Sequence, residues 1–263
     1  KKLSKDEEKY AEFVAEYIRP LKEGVYQDHM NKETILELLR YKSTKVEAGK
    51  MTSLEAYKQR ADTEQKAIFY IVGENEKILR SSPLLESYNK NNIEVLILDD
   101  KEIDEIITPT IGAYKDWEFK DITSCEPPKV EQSEEAKKEV EEKFESILAK
   151  IKDKLGDAVK DVKVTNRLSE SPSCVVKDVA DAQMAQMMQM MRAMGQEMPE
   201  SAPILEINPE HEIVKKLNGC SDESTIEDVS WILLDQAKLG QGMEITDTVA
   251  FAKRLSRITA KAL

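Results

Sequence analysis

The chain has 263 residues, of which 40% are hydrophobic and 34% are charged, and its formal net charge is −12. This composition can build a hydrophobic core, and the length fits one large domain or two modest ones. The negative charge argues against a protein that tracks nucleic-acid phosphates, because such proteins present clustered positive charge. A membrane-spanning helix is not expected, since no apolar run approaches the roughly 20 residues that a bilayer requires.

Two further features bear on where the protein works. The three cysteines, Cys125, Cys174 and Cys220, are scattered, and their odd number fits neither a disulfide framework nor a paired metal site. We therefore expect free thiols in a reducing, cytoplasmic compartment. The chain begins at Lys1 without an initiator methionine or the apolar segment of a signal peptide, which favours a fragment of a longer protein.

The first part of the chain favours helices. Apolar residues recur at helical spacing over 10–21, and Ser4 and Glu7 have the spacing of a capping box. Pro20 should kink or end this helix, and Gly24 should stop it. A second predicted helix follows, with Asn31 as its N-cap.

The pattern then changes to that of a parallel sheet. Two short apolar runs, 67–73 and 93–98, are typical of strands buried on both faces. The segment between them has the length of a crossover helix and is interrupted at Pro83. Strand, helix and strand form a βαβ unit, so we expect the two strands to be parallel and the connection right-handed. A further short helix is predicted over 103–107.

Pro127 and Pro128, followed by an acidic stretch, mark the best domain boundary. The chain is thereby divided into a helical segment (1–60), an αβα unit (61–125), a linker (126–133) and a second domain (134–263). The second domain should open with a long amphipathic helix that ends at Gly156. Strands are predicted over 162–164 and 174–176, as partners, and over 204–207. The fold class is α+β.

Motifs of common catalytic sites are missing. The chain has no Gly-x-Ser-x-Gly elbow and no GxxxxGK[ST] phosphate loop. His29 and His211 lack a partner at metal-ligand spacing, so a surface or capping role is the simpler interpretation of each. Gly73 follows a predicted strand and precedes a predicted helix, as an anion site requires, although packing alone explains many such glycines. An enzyme with a site at Gly73 stays an alternative; otherwise we expect no catalytic, cofactor-binding or metal-binding residue.

Seven of the ten methionines fall between Met184 and Met198. Their helical spacing fits a core helix that uses methionine. Their neighbours, however, are glutamine and arginine rather than the Leu or Ile that a core favours. Methionine is unbranched and polarizable, and Met-rich surfaces serve promiscuous binding. A buried helix and an exposed binding helix both remain open on the residues alone.

Two amphipathic helices near the C-terminus raise the question of what covers their apolar faces. They could be buried within the domain, or they could pair with a second copy in a four-helix bundle. Two-fold dimers are the commonest oligomers, which favours the second arrangement. The residues predicted to meet their symmetry mates are Ile232, Leu233, Phe251, Leu255 and Ile258.

Several segments resemble, in the right order, signatures of the heat shock protein 90 chaperone family. They are 21–24, 38–44, 53–57, 68–71, 81–83, 94–96, 103–105, 159–162, 167–168 and 205–211. The resemblance covers essentially the whole chain and is closest to the bacterial form. It implies the C-terminal part of the family's middle domain over 1–125, followed by the C-terminal dimerisation domain.

The resemblance also implies a function. Family members are ATP-dependent, stress-response chaperones of the cytoplasm that form homodimers, bind partly folded client proteins and have co-chaperones as further partners. Their ATP and Mg²⁺ site belongs to an amino-terminal domain, so no nucleotide-site residue is carried over and this chain would not itself be an enzyme. Neither nucleic acid nor membrane is implied as a partner.

Client binding is assigned by the same resemblance. Ile106 stands where bacterial members often have a tryptophan that is thought to face clients, and the client-facing helix resembles 183–195. The client-binding residues are then Ile106, Met184, Met187, Met188, Met190, Met191 and Met194. The rival hypothesis is a non-chaperone dimeric adaptor whose Met-rich helix binds one partner helix in a groove.

Overall fold

The computed structural model describes residues 3, 6–127, 134–178 and 201–262. Helices and strands are mixed along the chain, which confirms the predicted α+β class. The helices of the described residues are α1 (Glu7–Gln27), α2 (Lys32–Leu38), α3 (Leu54–Arg60), α4 (Glu76–Arg80), α5 (Glu86–Lys90), α6 (Lys101–Ile111), α7 (Glu134–Leu155), α8 (Glu212–Asn218), α9 (Glu223–Gly240) and α10 (Thr248–Ala262). The strands are β1 (Lys42–Ser43), β2 (Ala67–Val72), β3 (Val95–Leu98), β4 (Ala113–Tyr114), β5 (Trp117–Asp121), β6 (Asp161–Val164), β7 (Ser173–Val176) and β8 (Ile204–Ile207).

The chain divides into two compact units. Unit 1 comprises Lys1–Arg80 and Asn92–Cys125, and unit 2 comprises Ser81–Asn91 and Glu126–Leu263. The short segment Ser81–Asn91 therefore belongs to unit 2, although its neighbours in the sequence on both sides belong to unit 1.

Unit 1 is built on a five-stranded sheet in the order β1-β3-β2-β5-β4. β2 is parallel to β3, with Phe69 opposite Val95, as the two apolar runs predicted. β2 is also parallel to β5, while β1 and β4 are antiparallel edge strands. All four residues of β3 are buried, which fits a strand covered on both faces. The predicted crossover helix is divided into α4, one 3₁₀ turn at Pro83–Leu85, and α5.

Helix α1 is longer than the sequence suggested. It begins after Asp6, whose side chain accepts a hydrogen bond from the Lys9 backbone N–H, and it runs through Pro20 and Gly24 to Gln27. Pro20 lies on the exposed side of the helix, where the carbonyl that loses its partner faces solvent. Gly24 does not end the helix; a Cβ there would lie 3.4 Å from the Cδ1 of Ile35 on α2, so the glycine permits a close approach of the two helices.

Unit 2 contains a three-stranded sheet in the order β6-β8-β7. The predicted pairing of 162–164 with 174–176 is therefore wrong: β8 lies between them, parallel to β6 and antiparallel to β7. The central position suits β8, because three of its four residues are buried. Helices α7 and α9 pack on this sheet and on each other. Their shared core includes Phe144, Ile151, Leu205 and Leu233.

Within unit 2, α5 is tied to the loop before β7. The Glu86 carboxylate accepts hydrogen bonds from the backbone N–H groups of Ser169, Glu170 and Ser171, at 2.6, 2.9 and 3.1 Å. Burial acts to raise the pKa of Glu86, but these N–H donors outweigh it and the pKa is lowered. An ionised carboxylate on α5 thus satisfies three successive backbone donors of a loop some 80 residues away.

Candidate functional site

Helix α10 has an apolar side that unit 2 leaves largely uncovered. No side chain of this helix is buried. Leu255 is 46% exposed and Val249 62% exposed, while Phe251 and Ile258 are half-buried, Ile258 against the core of unit 2. An amphipathic helix normally buries its apolar stripe, so the side formed by Phe251, Leu255 and Ile258, called here the α10 apolar face, is a candidate contact surface.

Ion pairs join another side of α10 to α9. Arg257 donates from Nε to Oδ2 of Asp228 at 2.8 Å, and its Nη2 donates to the other carboxylate oxygen. Further along, Lys261 Nζ lies 2.8 Å from Asp222 Oδ2. Two parallel hydrogen bonds from one guanidinium to one carboxylate fix direction as well as distance.

A third pair continues the row toward the other end of α9. Arg254 Nη1 lies 3.9 Å from Asp235 Oδ2. The guanidinium carbon of Arg254 is also 4.8 Å from the centre of the Trp231 ring, which is the geometry of a cation–π contact. We call Asp222, Asp228 and Asp235 the aspartate row.

Members of the row differ in their electrostatics. Hydrogen bonds from Arg257 lower the pKa of Asp228, outweighing its burial. A hydrogen bond from Lys261 lowers the pKa of the exposed Asp222 to about 2. Burial raises the pKa of Asp235, because the cation opposite it is more distant. The row is therefore ionised most firmly at Asp222 and Asp228.

Sequence reasoning missed this row, although a signal was present. Arg254, Arg257 and Lys261 recur at helical spacing on one side of α10. Asp228 and Asp235 are seven residues apart, so they also share a side of α9. Complementary charges at matching spacing on consecutive helices were the available clue.

The predicted dimer residues separate into two groups. Ile232 is half-buried on α9, and the three residues of the α10 apolar face are half-buried or exposed. Leu233, in contrast, is fully buried in the core of unit 2 together with Ile226. A side chain with no exposed surface in one copy has none to offer a second, so Leu233 is removed from the candidate surface.

Ile106 is the predicted client residue that the structure describes. It lies on α6 and is 53% exposed, although its neighbour Ile107 is buried. An ion pair inside unit 1 fixes α6 against α1: Lys22 Nζ lies 2.6 Å from Oδ1 of Asp104, and both side chains are buried. Burial nevertheless raises the pKa of Asp104, against the effect of Lys22. Ile106 is thus an exposed apolar side chain on a firmly held helix.

The other predicted client residues lie outside the described part of the chain. These are Met184, Met187, Met188, Met190, Met191 and Met194. The choice between a buried and an exposed methionine helix accordingly stays a prediction.

The surroundings of Gly73 do not fit a nucleotide phosphate. Its backbone N–H already donates to the Leu98 carbonyl at 3.0 Å. A Cβ at this position would lie 2.8 Å from the Cδ2 of Leu79, so packing explains the glycine. The helix that follows has only five residues, too few for a strong N-terminal dipole.

The cysteines and the capping histidine behave as the sequence indicated. Cys125, Cys174 and Cys220, all of which the structure describes, are not joined by disulfides. Cys174 is buried, and its burial raises the pKa of the thiol well above its ordinary value, which makes it a poor nucleophile. His211 caps α8, its Nδ1 accepting from the backbone N–H of Ile213. Across the ranges that the structure describes, no cluster of three or more His, Cys, Asp or Glu side chains could hold a metal ion, and no helix is long and apolar enough to cross a membrane.

Comparison with known proteins gives consistent results. The profile of the family described as "Hsp90 protein" matches residues 1–263. The chain is 87% identical over 263 residues to the "Chaperone protein HtpG" of Aliarcobacter butzleri, 55% identical over 258 residues to that of Sulfurovum sp. and 47% identical over 265 residues to that of Treponema denticola. These alignments cover 100%, 98% and 98% of this chain and 41% of each relative. None of these names supports the adaptor hypothesis. The chain belongs to the Hsp90 family.

Proposed function

We propose that this chain provides dimerisation and client binding within a cytoplasmic, ATP-dependent molecular chaperone. Membership of the Hsp90 family and relatives named as chaperones support this function. The observation that carries the proposal is the open apolar face of α10, on a helix in which no side chain is buried. Co-chaperones are further partners of the proposed assembly.

The occupant proposed for the α10 apolar face is a second copy of the chain. A two-fold dimer places the same patch on both sides of the contact, and helices of this length pair readily in four-helix bundles. Phe251, Leu255 and Ile258 of α10 and Ile232 of α9 would be covered in this way. Leu255, the most exposed of them, is the best position for a test.

Leu255→Asp should shift the protein from dimer to monomer. Covering the exposed half of one leucine is worth about 1.5 kcal/mol, and the dimer contains two copies, so the dissociation constant should rise about 100-fold. Sedimentation velocity at micromolar concentration measures the shift, and circular dichroism checks that the helices persist. Ser256→Asp is the matched control, because it adds the same charge to α10 at an exposed position away from the apolar face. A Leu255→Asp variant that remains a folded dimer would contradict the proposed interface.

Client binding is proposed for Ile106 and for the methionines of the 183–195 segment. Ile106→Asp should weaken the binding of a labelled, partly folded protein, measured by fluorescence anisotropy, because a charge replaces the exposed apolar contact. Ile78→Asp is the matched control, since Ile78 is likewise an exposed isoleucine on a helix of unit 1. Equal affinities of the two variants would remove Ile106 from the client site.

ATP hydrolysis is proposed to depend on a part of the relatives that this chain does not cover. This proposal is supported at Gly73, where the backbone N–H already donates to the Leu98 carbonyl and Leu79 packs against the glycine. Isothermal titration of the chain with ATP and Mg²⁺ should therefore give no heat of binding. A site of micromolar affinity would contradict this expectation.

A further inference from the structure

The attachment of α10 to α9 differs from that of an ordinary core helix. Three ion pairs join it to α9 and the residue before it, Ile258 packs against the core of unit 2, and the rest of its apolar face is left largely open. We infer that the aspartate row positions α10 so that its apolar face is directed at the second copy, an inference that rests on the proposed dimer. The three cations of α10 are then positioning residues for the dimer contact.

The order of the ion pairs shows how α10 is aligned along α9. The pairs are Arg254–Asp235, Arg257–Asp228 and Lys261–Asp222. Residue numbers rise along α10 and fall along α9, so the two helices run antiparallel through all three pairs. A shift of α10 by one residue would move each cation about 1.5 Å along the axis and turn it by about 100°. All three pairs would separate together, whereas apolar contacts are non-directional and would tolerate the shift.

Burial of the aspartate row makes its ion pairs necessary. The carboxylates of Asp228 and Asp235 are almost fully buried on α9. A buried carboxylate without a partner is costly, so any register of α10 that still covers these two groups but leaves them unpaired is disfavoured. Buried ion pairs contribute little net stability compared with apolar packing, and their best-supported role is to specify register.

The cations and the apolar side chains of α10 lie on different sides of the helix. At about 100° per residue, the side that bears the cations and the side that bears Phe251 and Leu255 are roughly a quarter of a turn apart. Ile258, at the edge of the apolar face, packs against the core of unit 2, whereas Phe251 and Leu255 lie away from the side that carries the ion pairs. The direction of the apolar face depends on the rotation of α10, and the ion pairs set that rotation.

The experiment compares dimer dissociation constants of the full 263-residue chain by sedimentation velocity. Arg257→Glu places like charges together at the centre of the row and should raise the dissociation constant at least tenfold. Because Arg257 lies on a helix with no buried side chain, the core of unit 2 should keep its thermal melt. Arg257→Lys keeps the charge but loses the two-bonded geometry, and its dissociation constant should lie between those of the wild type and Arg257→Glu.

Glu223→Gln is the matched control. Glu223 also lies on α9, but it pairs with Lys150 and Lys154 of α7, so its loss should leave the dimer unchanged. A salt series gives a second readout: between about 50 and 500 mM NaCl the screening length falls severalfold. The wild-type dissociation constant should rise at least threefold over that range, whereas an interface governed by apolar contacts alone would hold or tighten.

Each outcome has a distinct meaning. A wild type that is monomeric at micromolar concentration defeats the proposed dimer itself. A dimeric wild type whose dissociation constant is unaffected by Arg257→Glu overturns the positioning role alone. If Arg257→Glu loses the folded core, the Arg257→Lys variant and the salt series decide, and unchanged dissociation constants in both would overturn the inference.

Discussion

Helices α1 and α10 are both amphipathic, but they present opposite sides to their own units. In α1 the apolar side chains of Tyr10, Val14 and Val25 are buried in unit 1. In α10 none is buried, and the side that contacts α9 bears cations. Sequence periodicity shows that each helix has two faces. It does not show which face is turned inward, because that depends on the elements that lie beside the helix.

Ion pairs of the two helices show the same difference. The side chains of Lys22 on α1 and Asp104 are 9% and 1% exposed, so this pair is part of the interior of unit 1. On α10 the Arg257 side chain is 55% exposed, although its partner Asp228 is only 7% exposed. Loss of the first pair strands a charge in the core, whereas loss of the second exposes Asp228 to water once α10 moves. The two helices should therefore respond differently to equivalent substitutions.

The largest difference is expected for a charge on the apolar side of each helix. Val14→Asp buries an unpaired carboxylate and should destabilise unit 1 by more than about 4 kcal/mol. Leu255→Asp, the same change on the exposed face of α10, should leave the fold intact. Thermal melts followed by circular dichroism compare the two variants, and hydrogen exchange identifies the unit that opens. Similar melting temperatures for both would refute the contrast between these helices.

The next largest difference is expected for the loss of one cation from each helix. Lys22→Met leaves Asp104 buried without its partner and should cost about 3–5 kcal/mol. Lys261→Met removes a partner of the exposed Asp222 and should change the free energy of unfolding by about 0.5 kcal/mol or less. Urea unfolding measures both in the Leu255→Asp background, so that dimerisation does not contribute. A large effect of Lys261→Met would mean that α10 is part of the core.

Alkaline pH should act on the interior of unit 1. Burial raises the pKa values of Tyr41, Tyr57 and Tyr70 above their ordinary value near 10. Their contribution to stability is complete below pH 10 and is lost as the pH rises above it, because the unfolded chain then releases protons that the folded chain keeps. At pH 11 the loss should be about 1.4 kcal/mol for each tyrosine.

Urea unfolding at pH 8 and pH 11 tests this expectation, with tyrosinate absorbance at 295 nm reporting ionisation. Tyr41→Phe should reduce the loss by about 1.4 kcal/mol. Tyrosines that titrate near pH 10 in the folded protein would show that water reaches them.

A smaller difference is expected between two tyrosine hydroxyls of unit 1. The Tyr57 hydroxyl donates to the Glu94 carbonyl at 2.7 Å and accepts from the Phe69 backbone N–H at 3.1 Å. Within the described residues, the buried Tyr41 hydroxyl has no hydrogen-bond partner. Tyr57→Phe should therefore cost about 1–3 kcal/mol at pH 7, and Tyr41→Phe should be neutral or stabilising by up to about 1 kcal/mol. Urea unfolding of the two single variants gives the comparison, and a costly Tyr41→Phe would indicate a bound water at that hydroxyl.

Much of the fold followed from the sequence where the signal was local. The apolar runs that became β2 and β3, and the helix from Glu134 to Leu155, were recognisable because composition and spacing alone define a buried strand or an amphipathic helix. The two-residue strands β1 and β4 were missed, since so short a segment has no periodicity to detect. The pairing of β6 with β7 was wrong because the choice of neighbour depends on β8, which is some 30 residues further along the chain.

The candidate site was less predictable than the fold. Phe251, Leu255 and Ile258 could be recognised as one apolar stripe, whereas the client role of Ile106 comes from the family resemblance and stays a prediction. Leu233 was misplaced because both sides of α9 carry apolar residues, and spacing does not indicate which side faces the sheet. The aspartate row was not predicted because the chain has 51 acidic residues, and the sequence does not indicate which three of them lie beside the cations of α10.

The position of Trp231 gives α10 an intrinsic optical reporter. The Trp231 ring lies beneath the Arg254 guanidinium. Its fluorescence emission therefore depends on whether α10 is packed against α9. The chain has one other tryptophan, Trp117, and Trp117→Phe would leave a single fluorophore. Departure of α10 would admit water to the indole and shift its emission to longer wavelength. The packing of α10 against α9 could then be followed in real time and at nanomolar concentration, without an attached dye.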